Sequence, residues 1–160
     1  MTAATKSWTL SVEQQELLIK SCFEAKEFSY TPYSKFPVGA ALLTADGRVI
    51  KGACIDNVTY AGSICAERTA LVKAASEGIR SFIGLAVTTN VAAPISPCGM
   101  CRQFIREFCS DEMPILLVPV DYYDTEKWNL KKVSIQVTNL GELLPFSFGP
   151  EDLELSRKSS

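Results

Sequence analysis

The spacing of apolar and polar positions along the chain predicts which segments are helices and which are strands. Near the N-terminus this spacing is helical and predicts a first helix. Ser11 and Gln14 have the form of a capping box, in which each residue hydrogen-bonds the backbone of the other. Apolar residues follow at helical spacing. Because a proline disfavours helical geometry in the residue before it, Pro32 predicts that this helix ends near Tyr30.

Short apolar runs predict the strands, at residues 38–44, 49–52, 83–89, 115–120 and 133–137. Asp46-Gly47 is typical of a tight turn between the first two, which should pair antiparallel. Further helices are predicted to begin at Cys65 and Cys98, and a short one at 141–144. The polar segment 121–132 is predicted to be an exposed excursion.

This order of elements predicts an α/β protein with a mixed sheet covered by helices. Its length fits a single domain. We place that domain at residues 1–150 and a polar C-terminal tail at 151–160.

The composition is that of an ordinary globular protein, and it narrows the classes of partner. Of the 160 residues, 47% are hydrophobic and 21% are charged, and the formal net charge is -2. Proteins that bind phosphate backbones usually present a basic face, and here lysine and arginine are adjacent only in the pairs Lys131-Lys132 and Arg157-Lys158. A small-molecule substrate is therefore favoured over nucleic acid. No apolar stretch approaches the roughly eighteen residues of a membrane span, so no membrane partner is expected.

The N-terminus and the cysteines indicate a cellular compartment. Residues 1–11 lack the apolar core of a secretory signal, which favours a cytoplasmic location. In a reducing compartment, the six cysteines are expected to be thiols or metal ligands rather than disulfides.

Two short strings contain the chemistry: Cys65-Ala66-Glu67 and Pro97-Cys98-Gly99-Met100-Cys101. Zinc-dependent nucleobase deaminases have the signature H-x-E…P-C-x-x-C, with a variant in which cysteine replaces the histidine. Because the chain contains no histidine, only that three-cysteine form is available. The pattern predicts one zinc ion per chain, bound by Cys65, Cys98 and Cys101.

The positions of these residues suggest their roles. Thiolates at helix N-termini have lowered pKa values, and three protein ligands leave a fourth zinc position for water. Glu67 is then the best general acid–base group. Three thiolates leave the site with net negative charge, and Arg68 and Arg102 are candidates for hydrogen bonds to thiolate sulfur.

Other interpretations of these strings stay open at this point. Cys98 and Cys101 could form a redox pair, or Cys54 could complete a closed structural zinc site of four cysteines. A deaminase of RNA or DNA bases would use the same zinc site, and a zinc-stabilised binding protein would have no activity. Cys22 and Cys109 fall on apolar helix faces and are expected to be core thiols.

From about Leu17 to Leu153, the chain resembles the small homotetrameric cytidine deaminases. The strings that carry the resemblance are residues 30–40, 64–70, 95–103 and 142–150. It implies a three-layer α/β/α fold with a mixed five-stranded sheet. It also implies zinc-dependent hydrolysis of cytidine and 2′-deoxycytidine to uridine and 2′-deoxyuridine with release of ammonia, a step of pyrimidine salvage.

The resemblance also assigns residues to the substrate and to the assembly. It implies that Phe36 packs against the base, that the backbone at Ala66 contacts the pyrimidine edge, and that a carbonyl near Ser96 accepts from the amine. Val38 is a further substrate-binding position. Phe148 would reach into the site of a neighbouring subunit, and Tyr60 would lie at a subunit boundary.

The chain departs from the family pattern at two positions that the resemblance assigns to ribose recognition. Cys54 and Asp56 stand where family members usually have asparagine and glutamate. A thiol is a weak hydrogen-bond partner and aspartate is one methylene shorter. We therefore expect ribose contacts that are weakened or rearranged. The excursion at 121–132 also exceeds the usual family length.

Overall fold

The computed structural model of the chain describes residues 9–124, 129–130 and 134–156. Its helices are α1 (Val12–Lys26), α2 (Ala66–Ser76), α3 (Gly99–Phe108) and α4 (Leu140–Leu143). Its strands are β1 (Gly39–Thr44), β2 (Val49–Ala53), β3 (Phe82–Thr88), β4 (Pro114–Val118), β5 (Tyr123–Asp124), β6 (Asn129–Leu130) and β7 (Gln136–Asn139). Short 3₁₀ helices occupy Tyr60–Gly62, Val120–Tyr122 and Pro150–Glu154.

Five of the strands form one mixed sheet in the order β2-β1-β3-β4-β7. β3 and β4 run parallel, and the other neighbouring pairs run antiparallel. The parallel pair requires a crossover, and α3 supplies it. The hairpin of β1 and β2 turns at Gly47, whose φ of 89° is in the left-handed region that favours glycine. The sequence prediction of this hairpin is confirmed.

Alternate residues of the central strands face two separate cores, one on each side of the sheet. Ala41 and Leu43 of β1 pack with the buried face of α1, which includes Leu18 and Phe23. Their neighbours Ala40 and Leu42 pack on the opposite side with residues of α2, α3 and α4. Both faces of β1 are covered and strand side chains alternate between faces, which is why residues 39–43 are all small or apolar. The predicted three-layer α/β/α fold is confirmed.

Helix α1 begins with the predicted capping box but ends earlier than predicted. Ser11 Oγ accepts from Gln14 N at 3.2 Å, and Ser11 N donates to Gln14 Oε1 at 2.9 Å. The helix ends at Lys26 rather than near Tyr30. Tyr30 instead donates its N–H to Cys54 O at 3.0 Å and accepts from Asp56 N at 2.7 Å. Hydrogen bonds to the segment after β2 therefore end the helix before the position that Pro32 indicated. These bonds are between remote residues, so the sequence around Pro32 could not predict them.

The start of α2 lies directly against β2. A Cβ atom on Gly52 would collide with the carbonyl oxygen of Ala66 and the backbone of Ala70. Only glycine permits this close approach, which brings the first turn of α2 onto the edge of the sheet. This contact fixes where the residues at the start of α2 are presented.

The C-terminal part differs from the predicted elements in its details. The excursion at 121–132 contains the end of a 3₁₀ turn and the two-stranded β5–β6 hairpin, and its residues 125–128 and 131–132 lie outside the described part. The last strand of the main sheet is Gln136–Asn139 rather than 133–137, and Val133 also lies outside the described residues. Asn139 caps the short α4, its side chain accepting from Glu142 N at 2.9 Å.

Within the described residues, no helix has the length and apolar character needed to cross a membrane.

Candidate metal centre and active site

Three cysteine side chains converge where α2 and α3 begin. Cys65 is the N-cap residue of α2 and Cys98 is the N-cap residue of α3. Cys101 lies in the first turn of α3 and is fully buried. The Cys98 and Cys101 sulfurs are 3.5 Å apart, and the Cys65 and Cys98 sulfurs are 3.8 Å apart. All three sulfurs lie within 4.8 Å of one another.

This arrangement fits a zinc ion bound by three thiolates. Tetrahedral coordination with Zn–S bonds of about 2.3 Å places two sulfurs about 3.8 Å apart. The separations of 3.5 and 3.8 Å match that requirement without movement of the backbone. Three sulfur donors at a tetrahedral cation leave one position for a non-protein ligand, as in catalytic zinc sites.

The other cysteines do not join this group. Cys54 is not a member of the metal-binding cluster that the described residues form. Its thiol instead contacts Val38 N at 3.1 Å and Phe36 O at 3.5 Å. The closed four-cysteine site is therefore not the arrangement here. Cys22 and Cys109 are buried in the cores on opposite sides of the sheet, as predicted.

Hydrogen bonds and charge around the cluster favour the thiolate form of Cys65. A hydrogen bond from the Cys101 thiol, together with Arg68, lowers the pKa of Cys65 to about 5. The same hydrogen bond and burial raise the pKa of Cys101. Arg68 Nη2 lies 3.5 Å from Cys65 Sγ and 3.4 Å from Ser63 O. The geometry thus gives Arg68 the predicted thiolate contact, which offsets part of the negative charge of a three-thiolate site.

Arg102, the second candidate for a thiolate contact, makes other hydrogen bonds instead. Its guanidinium donates to Pro97 O and Leu143 O, each at 2.7 Å, and to Ser96 Oγ at 2.9 Å. The reason is helical geometry. Arg68 occupies the third position of α2, whose side chain returns to the N-cap residue as in a capping box. Arg102 occupies the fourth position of α3, about 100° further round the helix.

Glu67 is a buried carboxylate beside the cysteine cluster. It lies in the first turn of α2 and is only 4% exposed. Burial raises its pKa to about 7. Its Oε2 atom has no hydrogen-bond partner among the described residues. A carboxyl group with such a pKa can both accept and release a proton near neutral pH, and the unpartnered oxygen is available to a substrate or to water.

Cys65, Cys98 and Glu67 line one cavity of about 270 Å³. Its wall includes eight of the residues singled out in the sequence: Phe36, Val38, Cys54, Asp56, Cys65, Glu67, Ser96 and Cys98. The remaining residues of the wall were not predicted from the sequence: Ser34, Ile55, Ser63, Ile64, Val87, Thr89 and Ile95. Several of these lie inside the strings that carry the family resemblance. Their location in those strings could have identified them as part of the site. Val87 and Thr89 are at the end of β3, and only the topology brings them to the site.

Asp56 has a structural role in the cavity wall. Its Oδ2 accepts from Ser34 N at 2.8 Å and from Tyr33 N at 3.2 Å, and Oδ1 accepts from Ser34 Oγ at 3.1 Å. These hydrogen bonds, that to the Ser34 backbone first among them, hold the pKa of Asp56 below its ordinary value. The carboxylate therefore fixes the loop that carries Phe36 into the cavity.

The other residues assigned by resemblance lie around this site. Ala66 is fully buried at the start of α2. Tyr60 is exposed and lines a neighbouring cavity together with Asp56. Phe148 is 59% exposed, and its carbonyl accepts from Gln103 Nε2 at 2.9 Å. Both aromatic rings are therefore available at the surface of the single chain.

The fold and the site together define the class of protein. A three-thiolate zinc centre at two helix starts, with a buried glutamate two residues after the first cysteine, is the arrangement of zinc-dependent deaminases.

Comparison with known proteins agrees with this class and makes it more specific. Residues 12–117 match the family model described as the cytidine and deoxycytidylate deaminase zinc-binding region. The chain is 49% identical over 138 residues to a cytidine deaminase of Sporosarcina psychrophila, covering 86% of this chain and 93% of that protein. It is 44% identical over 139 residues to one of Halalkalibacterium halodurans, covering 87% and 97%.

Solved structures give the same result. The cytidine deaminase of Burkholderia pseudomallei aligns with a TM-score of 0.74 at 36% identity, covering 87% of this chain and 100% of that one. The enzyme of Mycobacterium tuberculosis aligns with a TM-score of 0.67 at 32% identity, covering 84% and 97%. The chain belongs to the cytidine and deoxycytidylate deaminase family.

Proposed function

We propose that this protein is a zinc-dependent cytidine deaminase that hydrolyses cytidine and 2′-deoxycytidine to the corresponding uridines, releasing ammonia. The observation that carries the proposal is a cluster of three thiols beside one unpartnered, buried carboxylate, at a cavity lined by Cys65, Cys98 and Glu67. Membership of the deaminase family supports the same reaction.

The cysteines would hold the metal, and the metal would supply a Lewis acid. When bound by Cys65, Cys98 and Cys101, zinc lowers the pKa of a water molecule so that it is a nucleophile near neutral pH. Arg68 stabilises the Cys65 thiolate through its hydrogen bond. The start of each helix contributes unpaired backbone N–H groups that also favour negative charge there.

Glu67 moves the protons in this reaction. Its carboxylate accepts a proton from the attacking water and gives it to the ring nitrogen beside the reacting carbon. It then takes the second proton of that water from the hydroxyl group now on the reacting carbon and gives it to the departing amine, so that water is consumed and ammonia leaves. Burial sets the pKa of Glu67 at about 7, and a group with a pKa near the operating pH is the most effective in both directions.

The cavity would bind the pyrimidine by its shape. Phe36 and Val38 provide apolar surface for the base, and Ser96 lies on the same wall as Cys98. The backbone at Ala66 contacts the pyrimidine edge in this proposal. Cys54 and Asp56 already make hydrogen bonds within the chain, which supports weakened contacts with the ribose.

The assembly and the cellular role are part of the same proposal. We infer a cytoplasmic homotetramer with one zinc ion per chain, in which Tyr60 lies at a subunit boundary. Phe148 would complete the site of a neighbouring subunit, and its exposure in the single chain supports this. Pyrimidine salvage is the role we propose.

Replacing Glu67 by glutamine tests the reaction. Glu67→Gln should keep its zinc and lose about 10²- to 10⁴-fold in kcat, because the amide cannot transfer protons. Loss of ultraviolet absorbance by cytidine measures the rate, and elemental analysis measures the metal. Glu107→Gln on the exposed side of α3 is the matched control. Substantial turnover by the Glu67 variant would remove the proton-transfer role.

A second measurement distinguishes free nucleosides from bases within RNA or DNA as the substrate. Binding of single-stranded RNA or DNA in a gel-shift experiment, without deamination of free cytidine, would favour an enzyme that acts on bases within nucleic acid. The net charge of -2 argues against it.

A further inference from the structure

We propose that Arg102 is a positioning residue, which holds the backbone before Cys98 so that this zinc ligand and the adjoining cavity wall keep their place. The guanidinium of Arg102 donates hydrogen bonds to three acceptors. Its Nε donates to Pro97 O at 2.7 Å and its Nη2 to Ser96 Oγ at 2.9 Å. Its Nη1 donates to Leu143 O at 2.7 Å.

The segment that Arg102 holds has little other support. Residues 90–98 connect β3 to α3 without regular secondary structure. Among the described residues, every hydrogen bond made by residues 92–97 goes to Arg102. Ile95, Ser96 and Cys98 nevertheless line the cavity that contains Glu67. One side chain therefore supplies the directional contacts that fix this part of the wall.

The third hydrogen bond ties the segment to the C-terminal part of the chain. Leu143 is the last residue of α4, and the final carbonyl groups of a helix have no partner within it. Arg102 donates a hydrogen bond to that carbonyl, and this contact also holds the arginine side chain in place. The guanidinium thus joins the segment before Cys98, the first turn of α3 and the end of α4.

Only arginine can make this set of contacts. The planar guanidinium presents donors on three nitrogens in a fixed fork, whereas lysine has one nitrogen on a flexible stem. Lysine at this position would keep the charge and lose the geometry. Arg102→Lys therefore separates positioning from electrostatics.

Arg106 provides a matched control on the same helix. It lies one turn after Arg102 and contacts Ser147, Asp111 and Glu151. It also holds the C-terminal segment, but it makes no hydrogen bond to residues 92–98. Arg106→Lys thus tests whether any effect comes from the C-terminal segment alone.

The experiment compares zinc-loaded wild-type protein with the two lysine variants and with Ser96→Ala. The first readout is the rate of zinc transfer to a chromogenic chelator, and the second is kcat/KM for cytidine. Arg102→Lys should release zinc about tenfold faster and lose about 10- to 100-fold in kcat/KM, as when a partner of a metal ligand is lost or a reacting group is misplaced. Ser96→Ala removes one of the three acceptors and should show a smaller change in the same direction. Arg106→Lys should leave zinc release unchanged.

Two results would overturn the proposal. One is unchanged zinc release and kcat/KM in both Arg102→Lys and Ser96→Ala. The other is an equal effect of Arg106→Lys, which would assign the role to the C-terminal segment. If Arg102→Lys fails to fold, Ser96→Ala decides the question by itself. The catalytic readout rests on the proposed function. If the wild-type protein does not deaminate cytidine, that function is refuted, while zinc release still tests the role of Arg102.

Discussion

The helices begin in two different ways, and the difference separates stability from chemistry. At the start of α1, Ser11 accepts a hydrogen bond from Gln14 N, and the Gln14 side chain returns to Ser11 N. At the starts of α2 and α3, the N-cap residues are Cys65 and Cys98, and neither makes a side-chain cap hydrogen bond. Serine is among the best N-cap residues, and losing such a cap costs about 1 kcal/mol.

In all three helices, the N-cap residue interacts with the third residue of the helix. The third helical residue faces its N-cap residue, and these pairs are Ser11 with Gln14, Cys65 with Arg68, and Cys98 with Cys101. In α1 the pair stabilises the helix. In α2 and α3 it assembles a metal site, and the unpaired N–H groups stay available to stabilise thiolates. These two helices give up a local cap in favour of metal binding.

Of the changes predicted here, removing the metal should have the largest effect, and it should affect the starts of α2 and α3 but not that of α1. Treatment with a chelator should abolish deamination of cytidine and speed hydrogen exchange in the first turns of α2 and α3, because both starts lose the ion that joins them. The first turn of α1 should keep its exchange rate. Mass spectrometry of the exchanged protein measures all three turns together. Added zinc should restore both activity and protection, and equal changes at α1 would refute the contrast.

Replacing the N-cap cysteine of α3 by serine should weaken metal binding and strengthen the helix cap at the same position. Cys98→Ser should lose most of its zinc and at least about 100-fold in kcat/KM, since removing a ligand costs no less than removing its partner. In metal-free protein, however, the same variant should be more stable than wild type by up to about 1 kcal/mol, because serine is a better N-cap. Metal analysis and urea unfolding measure the two effects. A metal-free variant that is less stable than metal-free wild type would contradict this account of the cap.

Removing the cap of α1 should have the smallest effect and should affect stability alone. Ser11→Ala should lower the free energy of unfolding by about 1 kcal/mol and leave the zinc content and kcat unchanged. Urea unfolding of the zinc-loaded protein measures the change. A fall in kcat would mean that α1 is coupled to the site more closely than its position on the opposite face of the sheet implies.

The sequence predicted that the three cysteines and Glu67 lie together because these residues belong to local patterns. Cys65 with Glu67, and Cys98 with Cys101, each lie within one helical turn, so their relation follows from backbone geometry alone. The same reasoning could have corrected the expectation for Arg102. The resemblance to a known family extended the prediction to the fold and to the substrate class.

The features that could be predicted from the chain alone are therefore short in range: the capping box of α1, the hairpin turn at Gly47 and the two cysteine strings. Tertiary structure decided which distant groups meet. Packing on Gly52 presents the start of α2, and the crossover through α3 brings Cys98 to Cys65. It also gave Cys54 backbone partners instead of the metal, and it gave Arg102 the carbonyl of Leu143. The physical reason is that local geometry follows from adjacent residues, whereas contacts between remote segments depend on how all the elements pack.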